Sequence, residues 1–262
     1  MSNETLERAF TVTAPARLKL SNIRGSVVIR SGEDGTIRVT AGKQADSGDA
    51  KRTEIELLQE ADGTVKAATR FPEDSWGWLF GSRPCRVDYI VTAPHQCSFK
   101  VNGVSSNILI ENFDGEFEIG TVSGDLTLGT LSGPLHLHSV SGAMTGEGMT
   151  GTLVMDTVSG DVRLNESNLA SVKAETVSGK MDFQTALGEG PYYFGSVSGA
   201  VRLRVPPETS CSVELRSVSG KVSAKLPVTA QARLNGAHLL QVQSGGVEVR
   251  MNSVSGWLAI ES

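Results

Sequence analysis

A Val-Ser-Gly tripeptide occurs seven times in this chain of 262 residues, and Thr or Ser precedes every copy. The successive intervals between copies are 18, 18, 19, 20, 21 and 36 residues. A near-constant period of this length is typical of solenoids, in which each repeat adds one coil that buries its apolar face against the next. The repeat therefore constrains the fold more than any other feature. The copies begin at Val122, Val140, Val158, Val177, Val197, Val218 and Val254.

Apolar residues recur at every second position around each repeat glycine, which predicts a strand with one buried face. This parity predicts that the repeat valines are buried and that the repeat serines face outward. The glycine also has inward parity, which indicates a bulge or a close approach of another chain segment. Two places after the glycines come Leu126, Met144, Val162, Met181, Val201, Val222 and Leu258.

A second apolar column lies half a period away and keeps the same intervals up to Val213. The intervals of both columns lengthen in the same way along the chain, which predicts at least two strands in each coil. Equivalent strands of successive coils should stack in parallel about 4.8 Å apart, as in a β-helix. The long last interval predicts a degenerate coil near Leu240, 18 residues after Val222 and 18 before Leu258. The second column is Phe117, Leu135, Leu153, Val172, Tyr192 and Val213.

The first third of the chain alternates without this period, and turn sequences separate its strands as in hairpins. We interpret residues 1–98 as an N-terminal β layer that caps the solenoid, because bare terminal coils would expose strand edges. Residues 99–262 form the repeat coils. The predicted fold is an all-β, single-domain β-solenoid over 1–262, with coils of 18–21 residues.

Residues 10–29, residues 87–94 and the Thr-Val-Ser-Gly-Asp repeats resemble a bacterial family, the "putative adhesin" domains of unknown function, also called toastrack domains. The resemblance covers nearly the whole chain. It implies an all-β solenoid of stacked coils. Family members are often attached to membrane segments in envelope and envelope-stress proteins, and the resemblance supplies no catalytic residues.

Composition excludes some classes of function. The net charge is −5 with both signs spread along the chain, whereas a nucleic-acid binder would carry a basic stripe. The polar start and the lack of a window of about 18 apolar residues predict a cytoplasmic protein, with association with the cell envelope as the alternative. Three cysteines argue against a disulfide framework, although one bridge between Cys85 and Cys97 is an alternative.

One cluster has the residue types of a glycosidase or lyase. His138, Asp156 and Glu175 would stack on successive coils, where paired carboxylates form an acid and a base. A carbohydrate-active enzyme is therefore the alternative function. We favour a water-facing corner, because these coils show no aromatic platform for a sugar.

We predict no catalytic residue, no cofactor and no metal site. His136 and His138 share one side of a strand, but the sequence offers no third ligand. The Ser and Thr columns around each repeat could form a flat ice-binding array. We interpret them instead as a hydroxyl ladder that satisfies backbone groups at the coil corners.

The segment 71–84 is the one aromatic-rich loop. Trp76, Trp78, Leu79 and Phe80 form a possible contact surface for a partner or a membrane, or else a plug over the coils. The leading hypothesis is a non-enzymatic, adhesin-like scaffold or interaction module that binds a protein, a surface or a glycan. The sequence leaves its oligomeric state open.

Overall fold

The computed structural model describes residues 3–72 and 83–262, and all of the regular elements within these ranges are β-strands. The predicted all-β class is therefore confirmed. Within these ranges no helix is long and apolar enough to cross a bilayer. The strands are β1 (Glu4–Thr11), β2 (Ala16–Ser31), β3 (Thr36–Gln44), β4 (Glu54–Gln59), β5 (Val65–Arg70), β6 (Arg86–Ala93), β7 (Cys97–Asp114), β8 (Phe117–Thr121), β9 (Leu126–Ser132), β10 (Leu135–Ser139), β11 (Met144–Glu147), β12 (Thr150–Thr157), β13 (Val162–Thr176), β14 (Met181–Leu187), β15 (Tyr192–Ser196), β16 (Val201–Arg204), β17 (Cys211–Ser217), β18 (Val222–Lys225), β19 (Val228–Leu234), β20 (Ala237–Val242), β21 (Val247–Ser253) and β22 (Leu258–Glu261).

The chain divides into two compact units, Met1–Leu128 and Gly129–Ser262. In the first unit the long strands β2 and β7 run parallel, with Ala16 opposite Cys97 and Arg30 opposite Glu111. Strands β5 and β6 also pair parallel with β2, while β1, β3 and β4 join through antiparallel pairs. The predicted β-rich character of this region is confirmed, and its role as a cap stays a prediction, as does the single-domain organisation.

The second unit is a parallel β-solenoid, as predicted. One sheet follows the order β10, β12, β13, β15, β21 and β17, and the other follows β11, β13, β14, β16, β22 and β18. The 15-residue β13 contributes to both sheets. Both predicted apolar columns are buried apart from the half-buried Val222, and Phe183 and Phe194 make an edge-to-face contact between the two sheets with ring centroids 5.1 Å apart.

The order of coils in this stack differs from their order in the chain. The last coil, β21 with β22, lies between β15 with β16 and β17 with β18. Tyr192 therefore stacks on Val249, and Val249 on Val213. The last coil is the one that separates the repeats at Val197 and Val218.

The predicted degenerate coil near Leu240 is wrong. Leu240 lies in β20, which pairs antiparallel with both β17 and β19 and so forms a hairpin rather than a coil. Asn235 and Gly236 both have positive φ, at 49° and 79°, as the tight turn of such a hairpin requires. The Asn-Gly pair is a hairpin signal in the sequence, but the 18-residue spacing around Leu240 favoured a coil instead.

Each repeat corner is held by one hydroxyl, which is buried at every corner except that of the half-buried Ser217. The Thr or Ser before the tripeptide accepts a hydrogen bond from the glycine N–H three residues later, at 3.0 Å from Gly179 to Thr176 Oγ1 and 2.7 Å from Gly199 to Ser196 Oγ. The same bond forms at Gly124, Gly142, Gly160, Gly220 and Gly256. The predicted hydroxyl ladder is therefore confirmed, since these bonds satisfy backbone donors at the corners.

The repeat glycine is required by the coil next to it. A Cβ at Gly179 would overlap the carbonyl oxygen of Gly160, and a Cβ at Gly199 would overlap that of Gly179. The predicted close approach is thus correct, and it comes from the neighbouring coil of the same stack. The backbone ladder continues through the corner, where the Ser178 N–H donates to Val158 O at 2.9 Å.

Replacement of Thr176 by Val should destabilise the fold, because the buried N–H of Gly179 would lose its acceptor. An unsatisfied buried donor costs about 1–3 kcal/mol. Thr176→Ser keeps the oxygen and is the matched control, with an expected loss under about 1 kcal/mol. Urea unfolding of both variants measures the difference, and equal stabilities would show that the hydroxyl does not support the corner.

The three cysteines are buried and free, so the alternative bridge between Cys85 and Cys97 is wrong. Burial raises the pKa of the Cys97 thiol to about 12 and that of Cys211 to about 11. A raised pKa keeps a thiol protonated, and the protonated form is the unreactive one.

Native protein should resist a thiol reagent at neutral pH because all three thiols are buried, and the raised pKa should keep Cys97 and Cys211 unreactive at pH 9 as well. The denatured protein should react with three equivalents of the reagent. Titration with a chromogenic disulfide, before and after addition of guanidinium, checks this. Fast labelling of the native protein, or one equivalent after denaturation, would contradict the buried free thiols.

Candidate binding groove

An open groove of about 530 Å³ crosses five parallel strands of the second unit. Its central row has one residue from each strand, and the register places them side by side: Asp156, Glu175, Gly195, Asn252 and Arg216. Strands in a sheet lie about 4.8 Å apart, so the row extends roughly 19 Å from first residue to last. We call this feature the cross-strand groove.

The exposed valines of the repeat form one side of the cross-strand groove. The exposed fraction rises from 47% at Val177 and 48% at Val197 to 50% at Val254 and 81% at Val218. We call the row of Val140, Val158, Val177, Val197, Val254 and Val218 the valine ladder, in which Val140 is half-buried and the other five are exposed. Contiguous exposed apolar side chains with polar neighbours mark interaction surfaces more often than scattered ones do.

The prediction that these valines are buried is wrong. At each corner the Thr or Ser and the Gly point inward, while the Val and Ser between them face solvent. The corner is a turn closed by the hydroxyl hydrogen bond, and side chains in a turn do not alternate inward and outward as they do in a strand. The alternation therefore could not be extended from the strand through the tripeptide. The serines face outward as predicted, and Ser159 and Ser178 donate to a carbonyl of the neighbouring coil.

Gly195 forms the floor of the groove, because the other four residues of the central row have side chains. A Cβ at Gly195 would lie 3.2 Å from the hydroxyl oxygen of Tyr193 and 3.5 Å from Cγ of Glu175. The Tyr193 ring therefore lies over the glycine. The argument that these coils lack an aromatic group beside the carboxylates is wrong, since Tyr193 lines the same groove.

The groove has an acidic and a basic end. Glu175 pairs with Lys173 at 3.4 Å, and Arg216 pairs with Glu214 at 2.8 Å. The Asp156 carboxylate, the Asn252 amide and the Tyr193 hydroxyl have no hydrogen-bond partner among the residues that the structure describes. Three polar groups that can donate or accept thus lie beside an apolar ladder.

The structure brings together the cluster predicted from the sequence. His138 lies opposite Asp156, and Asp156 opposite Glu175, on successive strands of one face. The two carboxylates line the groove, while His138 lies outside it. Within residues 3–72 and 83–262, no three His, Cys, Asp or Glu side chains are grouped to hold a metal ion.

The other predicted contact surface lies outside the described residues. Trp76, Trp78, Leu79 and Phe80 fall between residues 73 and 82. Their contact with a partner or a membrane stays a prediction. Sequence reasoning missed Tyr193 and Asn252 as groove residues, because Asn252 belongs to the coil that lies out of chain order.

The sequence profile of the Toastrack DUF4097 family matches residues 16–261. The chain belongs to this family. A search of curated proteins gave no significant match to this toastrack chain.

Solved structures with the same fold share little sequence with this toastrack protein. A "putative lipid binding protein" from Parabacteroides distasonis has a TM-score of 0.60 at 13% identity, over 99% of this chain and 97% of that one. A "putative adhesin" from the same species has 0.53 at 11%, over 99% and 97%. Another from Bacteroides fragilis has 0.51 at 10%, over 98% and 97%. At these identities the likeness establishes the fold alone.

Proposed function

We propose that this toastrack protein is a non-enzymatic, adhesin-like interaction module that binds an extended glycan in the cross-strand groove. The observation that carries the proposal is the row of uncommitted polar groups at Asp156, Tyr193 and Asn252 beside the valine ladder. Binding sites combine an apolar surface with a few placed polar groups that fix orientation. The structures of similar fold described as adhesins agree with such a role.

A glycan fits this combination better than a folded protein surface. A sugar ring has apolar C–H faces and hydroxyl edges, so it can lie against the valine ladder while its hydroxyls reach the carboxylate, amide and phenol. Carboxylate and amide groups accept and donate to such hydroxyls, and an aromatic ring adds an apolar face with a polar tip. The groove runs across successive coils, so a chain of several sugars would meet a new coil at each step.

Binding should weaken when the floor of the groove is filled. Gly195→Leu places its side chain against Tyr193 and Glu175, whose ends can shift, so the strand should keep its fold. On an array of oligosaccharides of four or more residues, the wild-type chain should bind a defined subset, and the variant should bind it about tenfold or more weakly. His136→Ala, on the same face outside the groove, is the matched control and should bind like wild type.

Wild-type protein that binds no glycan on the array would contradict the proposal, as would Gly195→Leu protein that binds like wild type. The folded state of each variant is checked by its thermal melt.

One observation favours a second candidate, a carbohydrate-active enzyme. Asp156 and Glu175 are neighbours in the groove, and a pair of carboxylates is the usual catalytic unit of glycoside hydrolysis. Mass spectrometry of the bound oligosaccharide decides between the two. A non-enzymatic module leaves it intact, whereas an enzyme would cleave it and would lose the cleavage in Asp156→Asn.

A further inference from the structure

The central row of the cross-strand groove continues onto the hairpin of β19 and β20. Arg216, the last polar residue of the row, lies opposite Ala237 on β20, and Ala237 lies opposite Leu234 on β19. Residues that lie directly opposite one another on paired strands share one face of the sheet. The row that begins at Asp156 therefore ends with two apolar residues, of which Leu234 is 60% exposed.

A hollow of about 380 Å³ lies beside this end of the row. The register places Ala232 opposite Leu239, and Leu239 opposite Glu214. Glu214 faces outward, because the residues on either side of it along β17 are buried. The hollow is thus on the same outer face of the sheet as the groove, and its volume is within the roughly 300–1,000 Å³ of small-ligand sites. We call it the hairpin hollow, and its lining includes Ala230, Ala232, Leu239, Glu214, Glu248 and Arg250.

The hairpin hollow has a charged side and an apolar side. On the charged side, Arg250 pairs with Glu248 at 3.0 Å and with Glu214 at 3.8 Å. A ligand can cover the apolar side without breaking these ion pairs, and the removal of apolar surface from water is favourable. The exposed or half-buried residues of the apolar side are Ala230, Ala232 and Leu239.

The hairpin hollow and the cross-strand groove adjoin each other. Arg216 of the groove pairs with Glu214 of the hollow at 2.8 Å, and Tyr193 of the groove lies opposite Arg250 of the hollow. Arg216 and Glu214 are two residues apart on β17, which is about 7 Å along a strand. One ligand of moderate length can therefore contact both features.

We propose that the ligand of the cross-strand groove is a glycolipid, with its sugars in the groove and its hydrocarbon chain over the hairpin hollow and Leu234. This assignment rests on the proposed function, because it names the class of glycan that binds there. The order of chemistry along the row supports it. Groups that bind hydroxyls, at Asp156, Tyr193 and Asn252, come first, and apolar residues come last. A wholly polar glycan that followed the row would place hydroxyls over the apolar end.

The hydrocarbon chain should tighten binding. A CH₂ group removed from water tightens binding about fourfold, so a chain that buries only two such groups gains about tenfold or more. The gain should depend on the hollow rather than on the groove, because the sugars are the same with and without the chain.

A pair of glycosides tests this dependence. An oligosaccharide that the wild-type protein binds on the array is made as its methyl and its octyl glycoside, and both are titrated by calorimetry. The octyl form should bind wild type about tenfold or more tightly than the methyl form. Ala232→Glu places a carboxylate opposite Leu239 in the hollow, so this variant should bind the two forms alike.

Arg233→Gln is the matched control. It changes the net charge by the same amount on the same exposed strand, but alternation places residue 233 on the opposite face from Ala232. This variant should keep the full gain of the octyl form.

Octyl glucoside below its micelle concentration tests the hollow by itself. In methyl NMR spectra of the wild-type protein it should shift the signals of Ala230, Ala232 and Leu239. The methyl signal of Ala259, on β22 in the other sheet, should stay in place. In Ala232→Glu the shifts should be lost, and an otherwise unchanged spectrum shows that the variant is folded.

Two kinds of failure are distinguishable. Octyl and methyl glycosides that bind wild type equally would overturn the glycolipid assignment and leave the proposed function standing. So would a gain that persists in Ala232→Glu, or octyl glucoside that shifts none of the three methyl signals. Wild-type protein that binds no oligosaccharide would overturn the proposed function and the assignment together.

Discussion

The second unit depends on one backbone contact that recurs along the stack. The repeat glycine lies against the carbonyl oxygen of the glycine in the neighbouring coil, with no room for a Cβ, at Gly160, Gly179, Gly199, Gly220 and Gly256. The hydroxyl of the preceding Thr or Ser closes the corner by accepting the glycine N–H. Because both groups point inward, the Val and Ser between them must face solvent. The contact that sets the coil spacing thus also creates the valine ladder.

The candidate site follows from this arrangement. Parallel strands in register bring equivalent positions of successive coils into rows. The side chain in such a row can differ from one coil to the next. The row with Asp156 and Arg216 has one gap, at Gly195, and the Tyr193 ring lies over it. The valines beside it are exposed by the corner rather than by any feature of the groove. Stacking therefore supplies the apolar side, and the local residues supply the polar groups.

Much of the fold could be predicted from the sequence, because a solenoid repeats one local rule. The repeat period predicted which segments form parallel coils, and the two apolar columns predicted which of their residues face the core. The parity of the valines could not be predicted, since a corner closed by a side chain interrupts the alternation that strands obey. The position of the last coil was also hidden. Its pairing with β15 is a contact between residues far apart in the chain, and no local pattern specifies it.

The hairpin shows how a strong pattern can mislead. Leu240 has the spacing of a coil, yet Asn235 and Gly236 form a tight turn that reverses the strand onto β17. Turn chemistry outweighed periodicity here. In the groove, the stacked carboxylates were foreseen from the repeat, whereas Asn252 and Arg216 became neighbours only through the inserted coil.

The corner contacts, rather than the order of repeats in the chain, decide which coils are neighbours. Engineered disulfides test this order of coils. The N–H of Ser255 donates to Val197 O and that of Ser219 to Val254 O, which makes Ser255 the neighbour of both Ser198 and Ser219. Ser198→Cys with Ser255→Cys should form a bridge under mild oxidation. Ser198→Cys with Ser219→Cys should not, because the last coil lies between them and two interstrand spacings place them roughly 10 Å apart. Bridging of the second pair without the first would show that the coils stack in chain order.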